Sequence, residues 1–467
     1  SILFMKLEVV VLAAGKGTRM RSALPKVLHL VAGKPMLSHV LESAQKLSPD
    51  RVHVVCGHGA DQVREYGSHN PNINWIFQAE QKGTGHAVCQ ALPAISTQST
   101  VLVLYGDIPL ILPGTLQRLT DEARDGSLAL LSASFDNPHG YGRVIRDSGN
   151  AICAVVEEAD ASSDQRKISE INTGFIAAPA EKLKDWLDAV DNNNSQGEYY
   201  LTDVVGAAAC SGTPVKGVIC KDISEVMGVN SRSDLARAER NFQRREAEKL
   251  MDSGLTLDDP SRFDLRGQLE FGEDCRMDIN VVVSGTVKMG KNVVVGPNSQ
   301  ISDSVIGDNV EIRANSIIEG AHIADHCSVG PFARLRPGTE LAMGARIGNF
   351  VETKNAVIGE DSKANHLAYV GDASVGQRVN IGAGVITCNY DGANKHHTKI
   401  ENDAFIGSNT ALVAPLTVGE GATVGAGSAV SRNVPAGQLA VTRAQQTVKE
   451  GWERPQKNKT SKGESSQ

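Results

Sequence analysis

The chain has 467 residues, of which 41% are hydrophobic and 22% are charged, a composition typical of a globular protein long enough for more than one domain. Its net charge of −7 argues against general nucleic-acid binding, which requires a basic face. No apolar run approaches the roughly 18 residues that a membrane-spanning helix needs. We therefore expect no nucleic-acid partner, no membrane insertion and a cytoplasmic location.

The eight cysteines form no C-x-x-C pair. Free cysteine is among the most often buried residue types, and scattered thiols are typical of a reducing compartment. The sequence therefore predicts buried thiols.

The first half of the chain alternates short apolar runs with helix-like stretches. Runs that are apolar on both faces are typical of buried parallel strands, and strands alternating with helices indicate an α/β sheet with crossover connections. We predict strands at 9–12, 52–56, 101–105 and 128–132 and helices at 36–47 and 85–92. This pattern predicts an α/β domain over residues 1–232.

A different pattern follows at residues 233–253. Apolar residues recur there at helical spacing among many charges, and Ser233 can cap the start. We predict one long helix that links two domains.

Glycines in the second half recur on a six-residue spacing, each directly after an aliphatic residue. This spacing is typical of a β-solenoid, in which each short strand buries one aliphatic side chain and a tight corner follows. The glycines are Gly330, Gly348, Gly376, Gly382, Gly407, Gly419 and Gly425. We predict a solenoid over 254–453, with its register starting near Met289 and slipping at 317–328 and 387–398. The polar tail, 454–467, is predicted to be disordered.

A glycine-rich turn, residues 12–20, follows the first predicted strand. Glycines let backbone N–H groups approach phosphate closely, while Lys16 and Arg19 add charge and Lys26 could reach the same phosphates. Open α/β sheets bind ligands at this edge, although the turn could also be purely structural.

Asp107 follows another predicted strand. A carboxylate opposite a phosphate-binding loop is well placed to hold Mg²⁺, and Asn230 could supply a second oxygen. Aspartate also serves in turns and caps, so a structural role for Asp107 stays open.

Eight motifs recur in order along the chain and carry a family resemblance. They are L-A-A-G-K-G-T-R-M, L-P-K, Q-A-E-Q-x-G-T-G-H-A, Y-G-D-x-P-L, G-Y-G-R, E-I-N-T-G, E-Y-Y-L-T-D and G-V-N. From about residue 9 to 455, the chain resembles the sugar-1-phosphate nucleotidyltransferases. More narrowly, it resembles bacterial bifunctional N-acetylglucosamine-1-phosphate uridyltransferases and glucosamine-1-phosphate acetyltransferases.

The resemblance implies a fold, substrates and an assembly. The fold would be a Rossmann-like nucleotidyltransferase sheet, a long helix and a left-handed parallel β-helix. The substrates would be glucosamine 1-phosphate, acetyl-CoA, UTP and N-acetylglucosamine 1-phosphate, with Mg²⁺ as cofactor. The product, UDP-N-acetylglucosamine, would serve the synthesis of peptidoglycan and lipopolysaccharide. Family members are homotrimers that share acetyl-transfer pockets between neighbouring solenoids.

The resemblance also assigns residues in the first domain. Those for UTP and UDP-N-acetylglucosamine are Leu12, Ala13, Ala14, Gly15, Lys26, Gln78, Gly83, Thr84, Tyr105, Gly106, Asp107, Gly142, Glu157, Asn172 and Asn230. Asp107 and Asn230 would bind Mg²⁺, Lys26 would hold phosphates during catalysis, and Arg19 is our candidate for the leaving pyrophosphate. The attacking phosphate oxygen is already ionised, so this reaction needs electrostatic stabilisation rather than a general base.

A second group of polar residues lies on adjacent predicted coils. Acetylation of an amine needs a proton acceptor, and His366 is the candidate base, with Glu352 to orient or polarise it. The resemblance assigns Arg336, Lys354, Tyr369 and Asn380 to glucosamine 1-phosphate. It assigns Ala383, Asn389, Tyr390, Ser408, Ala426 and Arg443 to acetyl-CoA. The insert at 387–392 interrupts the coil spacing as functional loops do, although a solvated loop and a surface histidine are the plain alternatives.

Two other functions stay open at this point. One is a single-activity nucleotidyltransferase whose solenoid only oligomerises. The other is a non-catalytic scaffold that keeps the fold, against which Asp107, Lys26 and Asn230 argue.

Overall fold

The computed structural model describes residues 6–456 except 16, 58 and 68–70. Lys16 and residues 457–467 of the predicted tail therefore lie outside the described residues. The chain divides into two compact units, the first running to Gln268 and including Val282–Gly285, the second containing Leu269–Val281 and the chain from Thr286 onwards. The predicted linker helix and residues 254–268 thus belong to the first unit.

The first unit contains the strands and helices of an α/β fold. Its strands are β1 Lys6–Ala13, β2 Leu30–Val31, β3 Lys34–Pro35, β4 Arg51–Cys56, β5 Ile73–Phe77, β6 Ser99–Tyr105, β7 Leu128–Ser134, β8 Arg143–Arg146, β9 Ile152–Val156, β10 Glu170–Pro179, β11 Val215–Ile219, β12 Thr256–Leu257 and β13 Phe263–Glu270. Its helices are α1 Met36–Gln45, α2 Ala60–Gly67, α3 Thr84–Ala91, α4 Pro113–Glu122, α5 Ala180–Ala189, α6 Asp203–Cys210 and α7 Arg232–Asp252. Short 3-10 helices lie at Thr18–Met20, Lys26–Leu28, Leu92–Ala94, Gln165–Lys167, Ile223–Val226 and Pro260–Arg262.

The central sheet has the order β11-β7-β10-β6-β1-β4-β5, with β8 and β9 attached beside β10. Strand β1 pairs in parallel with β4 and β6 and is buried on both faces, as its apolar run predicted. Strand β10 runs antiparallel to β6 and β7, so the sheet is mixed. Because β1, β4, β5 and β6 are mutually parallel, their carboxyl ends meet at one edge.

The long helix α7 begins one residue before the predicted start, and its cap was assigned wrongly. Ser231, rather than Ser233, is the N-cap: its hydroxyl accepts from the Asp234 N–H at 3.2 Å. The Asp234 carboxylate accepts in return from the Ser231 N–H at 2.9 Å. This capping box satisfies donors that the first helical turn leaves free, whereas Ser233 is exposed inside the helix.

The second unit is a parallel β-helix whose strands form three faces. Face A consists of Arg276–Met277, Val294–Val295, Glu311–Ile312, Ser328–Val329, Arg346–Asn349, Lys363–His366, Asn380–Ile381, Phe405–Ile406, Thr423–Val424 and Leu439–Ala440. Face B consists of Val281–Met289, Gln300–Ser302, Ile317–Glu319, Arg334–Leu335, Glu352–Ile358, Tyr369–Val375, Ile386–Cys388, Ala411–Val413 and Ala429–Val430. Face C consists of Val305–Ile306, His322–Ile323, Thr339–Leu341, Thr398–Ile400 and Leu416–Val418, together with the final residues of the three long strands of face B.

Most successive coils repeat at 17 or 18 residues, as in the pairs Arg346 with Lys363 and Ser328 with Arg346, whereas the coil that carries the insert takes 25, from Asn380 to Phe405. Glycine is required at these positions for a reason other than the predicted tight corner. A Cβ at Gly348 would lie 2.0 Å from the Asn365 carbonyl oxygen on the next coil, so glycine is needed for close stacking. The corners themselves often use asparagine or aspartate in the left-handed region, which these residues tolerate.

The predicted register was wrong at its start. Coil stacking is already present at Arg276–Met277, which pairs with Val294–Val295, before the predicted start near Met289. The predicted slip at 317–328 is present, since the buried side chains of Ile318 and Ile323 are five rather than six residues apart, but it needs no inserted loop, because strand His322–Ile323 continues face C there. The predicted interruption near 387–398 is confirmed, since residues 389–397 form a loop between face B and face C.

The cysteine prediction holds in part. All eight cysteines are free; Cys56, Cys220, Cys275 and Cys327 are buried, whereas Cys210 is exposed. In the described part of the chain, no helix is long and apolar enough to span a bilayer.

Candidate active sites

A cavity of about 460 Å³ lies at the carboxyl edge of the first unit's sheet. The turn after β1 forms one wall, and residues from the ends of β5 and β6 and the start of α3 complete it. The predicted residues that line it are Leu12, Ala13, Ala14, Gly15, Lys26, Gln78, Gly83, Thr84, Tyr105 and Asp107. The structure therefore brings most of the predicted nucleotide-binding set together.

Lys26 is the central cation of this cavity. Its ammonium forms an ion pair with the Asp107 carboxylate and donates a hydrogen bond to the Asn230 side-chain oxygen at 3.1 Å. Gly17, with a φ of 60°, packs against the lysine stem, where its Cβ would lie 2.8 Å from the Lys26 Cβ. Only glycine suits both the left-handed backbone and this close approach.

The residues present fit a divalent cation. Asp107 and Asn230 already direct one oxygen each at the same positive charge. Within the described ranges, no group of three or more His, Cys, Asp or Glu side chains could hold a metal ion. A cation bound by Asp107 and Asn230 would therefore need further oxygens from phosphate and water, as Mg²⁺ commonly does.

Three of the residues predicted for UDP-N-acetylglucosamine, Gly142, Glu157 and Asn172, lie close together outside the lining of the first cavity. Asn172 is buried and its N–H donates to the Gly142 carbonyl at 2.8 Å. Glu157 accepts a hydrogen bond from the Thr202 hydroxyl at 3.0 Å. Burial raises the pKa of Glu157, and the charges of Asp203 and Asp160 act in the same direction. Glu157 lines a second, acidic cavity of about 520 Å³ rather than the first.

Arg19 and Gly106 do not line the first cavity either. Arg19 is exposed on the short helix Thr18–Met20. Gly106 is buried beneath the cavity, where its N–H donates to the Leu12 carbonyl at 2.9 Å. Gly106 thus supports the wall, whereas Arg19 lies exposed outside the cavity lining.

Sequence reasoning missed Gln81 and Glu198, which line the first cavity. The Gln81 amide donates to the Ala14 carbonyl and so holds the phosphate-binding turn. The backbone of Tyr199 pairs with Lys82 and Gly85, which brings Glu198 to the opening. The motifs around both residues were recognised, but nothing in the sequence placed them side by side.

In the second unit, His366 lies on face A beside a cavity of about 510 Å³. The side-chain oxygen of Asn349, on the preceding coil, is 2.7 Å from His366 Nδ1. Since a carbonyl oxygen can only accept, Nδ1 carries the hydrogen and Nε2 is left free to take a proton. Asn349 therefore has the orienting position that the sequence suggested for Glu352.

Glu352 lies on face B and pairs instead with Arg336, at 2.8 Å. Lys354 is on the same strand, close to Lys395 from the insert. The neighbouring Lys395 ammonium lowers the pKa of Lys354, and the charge of Arg336 adds to this effect. Lys354, Lys395 and Arg336 thus bring three positive charges close together, which makes a natural anion site, and Lys395 was missed by the sequence analysis.

The insert is anchored to face B through Asn389. Its amide donates to the Asp372 carboxylate at 2.5 Å and to the Tyr369 hydroxyl at 3.4 Å. Burial alone would raise the pKa of Asp372, but hydrogen bonds from Asn355 and Asn389 and the nearby lysine charges lower it. Asn389 thus joins the predicted sugar-phosphate residues, while Tyr390 is exposed on the loop.

The remaining predicted acetyl-CoA residues share the corner that joins face A to face B. Backbone hydrogen bonds connect this corner from coil to coil, from Leu367 to Asn349, from Gly384 to Leu367, from Asn409 to Ala383 and from Gly427 to Ser408. Arg443 passes beside Gly427, next to Ala426. Ala383, Ser408, Ala426 and Arg443 therefore form a column that continues from His366.

The predicted glucosamine 1-phosphate residues do not meet within one chain. Arg336, Lys354 and Tyr369 lie on face B. Asn380 lies on face A, where it pairs with Lys363 and Phe405. Side chains that leave a prism from two faces diverge, so this set is incomplete on a single surface.

Comparison with known families and proteins covers both units. Residues 9–172 match the MobA-like NTP transferase domain, residues 286–320 the bacterial transferase hexapeptide, and residues 397–432 the hexapeptide repeat of succinyl-transferase. The "Bifunctional protein GlmU" of Marinobacter nauticus is 54% identical over 97% of this chain and 99% of its own length. Proteins of that name from Alkalilimnicola ehrlichii and Pseudomonas entomophila are 55% and 54% identical over 96% and 98% of this chain, and 96% and 100% of theirs.

The chain belongs to the family of bifunctional GlmU proteins. The predicted resemblance, the two-part fold and the prediction of a bifunctional transferase are thereby confirmed. Among solved structures, UDP-glucose pyrophosphorylase complexed with UDP-glucose matches with a TM-score of 0.44 and 16% identity over 52% of this chain and 100% of that one, and nothing here rests on that likeness.

Proposed function

We propose that this GlmU-family protein makes UDP-N-acetylglucosamine in two steps. The β-helix acetylates the amine of glucosamine 1-phosphate with acetyl-CoA. The first unit then transfers uridylyl from UTP to N-acetylglucosamine 1-phosphate and releases pyrophosphate. The product would supply peptidoglycan and lipopolysaccharide synthesis, with the cytoplasm as the expected location.

The observation that carries this proposal is the extent of the match. Relatives named as bifunctional align with 96–98% of the chain, so both the nucleotidyltransferase unit and the hexapeptide unit are included. A single-activity enzyme with an inert solenoid would not need the cation cluster of Lys354, Lys395 and Arg336, nor His366 held by Asn349.

In the proposed uridylyl transfer, the first cavity holds UTP. The backbone of the turn at 12–15 approaches the phosphates, and Lys26 neutralises charge as pyrophosphate departs. Gln78, which is buried and bonded to His86, presents its amide to the base at the opposite end. A bound Mg²⁺ would be held by Asp107 and Asn230 and would supply charge stabilisation at the phosphates.

In the proposed acetyl transfer, His366 Nε2 accepts a proton from the substrate amine as its nitrogen forms a bond to the thioester carbon. The C–S bond then breaks, and CoA leaves as its thiol after taking the proton from the imidazolium. Asn349 holds the imidazole in the required tautomer. Arg336, Lys354 and Lys395 hold the sugar phosphate, and acetyl-CoA lies along the corner column from Ala383 to Arg443.

We further propose that the acetyl-transfer site is completed by a second copy of the chain. The predicted residues lie on faces A and B, and their side chains point away from the solenoid in different directions. A neighbouring solenoid is therefore needed to close a pocket around the sugar. A threefold arrangement suits a prism with flat faces and would give a homotrimer.

One omission experiment tests the function. The protein is incubated with glucosamine 1-phosphate, acetyl-CoA, UTP and Mg²⁺, and the products are identified by mass spectrometry. UDP-N-acetylglucosamine is expected in the full mixture, and only N-acetylglucosamine 1-phosphate when UTP is left out. A second mixture supplies N-acetylglucosamine 1-phosphate, UTP and Mg²⁺. Uridylyl transfer in this mixture without acetylation in the first would support the single-activity alternative, and no reaction in either mixture would support a scaffold.

A further inference from the structure

Lys26 lies where a divalent cation would have to bind. Its ammonium contacts the Asp107 carboxylate and the Asn230 amide oxygen, the two oxygens that the proposed function assigns to Mg²⁺. The side chains of Lys26 and Asp107 are 11% and 19% exposed, so water screens the pair only in part. Two cations cannot share these oxygens at close range without strong repulsion.

The backbones that carry the two acceptors are held in place by hydrogen bonds. The Asp107 carbonyl accepts from the Val229 N–H at 2.9 Å, and the Asn230 N–H donates to the Asp234 carboxylate in the cap of α7 at 3.1 Å. Gly17 packs only against the carbon stem of Lys26. Rotation about the outer bonds of lysine can therefore move its ammonium while Asp107 and Asn230 stay in place.

An alternative partner for that ammonium lies in the same cavity. Lys26 and the turn residues Leu12 to Gly15 line one continuous space, in which nucleotide phosphates are proposed to bind. A triphosphate offers lysine more negative charge than one carboxylate does. Movement of Lys26 onto phosphate would leave Asp107 with an open lone pair and no neutralising partner.

We propose that Lys26 occupies the metal position in the free protein and leaves it for the nucleotide phosphates, so that metal and nucleotide bind cooperatively. This inference rests on the proposed function, because it uses the assigned metal and nucleotide sites. Thermodynamic linkage requires the effect to be reciprocal: a divalent cation on Asp107 releases Lys26 for phosphate. The free protein then binds divalent cations weakly, and metal is taken up together with UTP.

The test measures Mn²⁺ binding to nucleotide-free protein by electron paramagnetic resonance of the free ion. In Lys26→Met the competing ammonium is gone, and Mn²⁺ is expected to bind about tenfold more tightly than in the unaltered protein, the effect of about one charge-assisted hydrogen bond. The double variant Lys26→Met, Asp107→Asn should lose this gain. Lys26→Gln is a second neutral variant in case methionine impairs folding, which thermal unfolding would reveal.

Two control variants distinguish occupancy of the metal position by Lys26 from the general effect of removing a positive charge. Lys216→Met removes a lysine that pairs with Asp125 at 2.8 Å elsewhere in the first unit, and Mn²⁺ affinity should not change. Arg19→Met removes an exposed charge from the turn at 12–20, and should have a small effect that disappears at high salt.

Unchanged Mn²⁺ affinity in both neutral Lys26 variants would overturn the inference, as would a gain that survives Asp107→Asn. The proposed function is judged separately, by product formation in the unaltered protein. If the unaltered protein forms UDP-N-acetylglucosamine but the Lys26 variants keep the same Mn²⁺ affinity, the proposed function stands. Only the proposed movement of Lys26 from the metal position to phosphate is then rejected.

Discussion

The two units of this protein build their candidate sites in different ways. In the first, parallel strands deliver loops to one sheet edge, so residues as distant in sequence as Leu12, Lys26 and Asp107 line a single cavity. In the second, successive coils place residues in columns and on separate faces, and the predicted set around His366 and Asn380 does not converge. A crossover sheet gathers its loops within one chain, whereas a solenoid presents ordered surfaces, which on the proposed function a second copy of the chain completes.

The largest expected effect is that of removing His366, which should slow the reaction of one unit and leave that of the other unchanged. His366→Ala should lower the rate of acetyl transfer by about 10²–10⁴-fold, because His366 Nε2 is the proposed acceptor of the amine proton. Uridylyl transfer to supplied N-acetylglucosamine 1-phosphate should be unchanged. Both rates are measured on one preparation.

His326→Ala is the matched control, since His326 lines the same cavity on face A. Its acetyl-transfer rate should stay near that of the unaltered protein. Equal losses in the two variants would show that the cavity is merely sensitive to substitution and would remove His366 from the mechanism.

The next effect concerns Lys395, the cation that the insert contributes. Lys395→Met should raise the KM for glucosamine 1-phosphate about tenfold with little change in the KM for acetyl-CoA, because one charge-assisted contact to phosphate is lost. Lys399→Met is the control: Lys399 is exposed on face C and pairs with Glu401 at 2.9 Å. Both KM values are measured by steady-state kinetics in which one substrate is varied at a time. An equal rise in the two KM values of Lys395→Met would contradict the assignment of Lys395 to the sugar phosphate.

A smaller effect is expected at Asn349, which positions His366. In Asn349→Asp a carboxylate beside the imidazole favours the protonated ring, so the acid limb of the pH–rate profile for acetyl transfer should move up by about 1 unit. Asn349→Ala should lower kcat without that upward movement. An unmoved acid limb in Asn349→Asp would mean that Asn349 does not act through His366.

The smallest effect tests the capping box of α7. Ser231→Ala should lower the free energy of unfolding of the first unit by about 1 kcal/mol, because the Asp234 N–H loses its acceptor. Ser233→Ala, inside the same helix, should have little effect. The free energies of unfolding of both variants are measured by denaturant unfolding. Equal losses of this free energy in the two variants would contradict the assignment of the cap to Ser231.

Much of the fold could be predicted because its signals are local. Strands such as β1 are apolar on both faces, and aliphatic residues recur once per short solenoid strand; both patterns survive in the linear chain. The failures came from spatial neighbours. Gly348 looked like a corner residue because nothing in the sequence shows the Asn365 carbonyl of the next coil against it.

The same limit applies to the sites. The turn at 12–15 and Asp107 were predicted because strand ends of a parallel sheet meet at a known edge. Asn349 and Lys395 were missed as partners of His366 and Lys354, since stacking register and the path of an insert decide those contacts. Arg19 was assigned by chemistry alone, and its exposed position leaves that role a prediction.

The regular stacking of coils fixes the distances along the corner column of the β-helix. Neighbouring coils are spaced like adjacent strands, about 4.8 Å apart, so distances along the corner from His366 towards Arg443 come in whole steps of that size. Glycines such as Gly382, whose Cβ would lie 2.7 Å from the Ser408 N–H nitrogen, prevent any coil from being pushed apart by a side chain. If acetyl-CoA binds along this corner as proposed, a thioester donor whose arm is shorter or longer by a fraction of this spacing would place its carbonyl carbon away from the His366 imidazole.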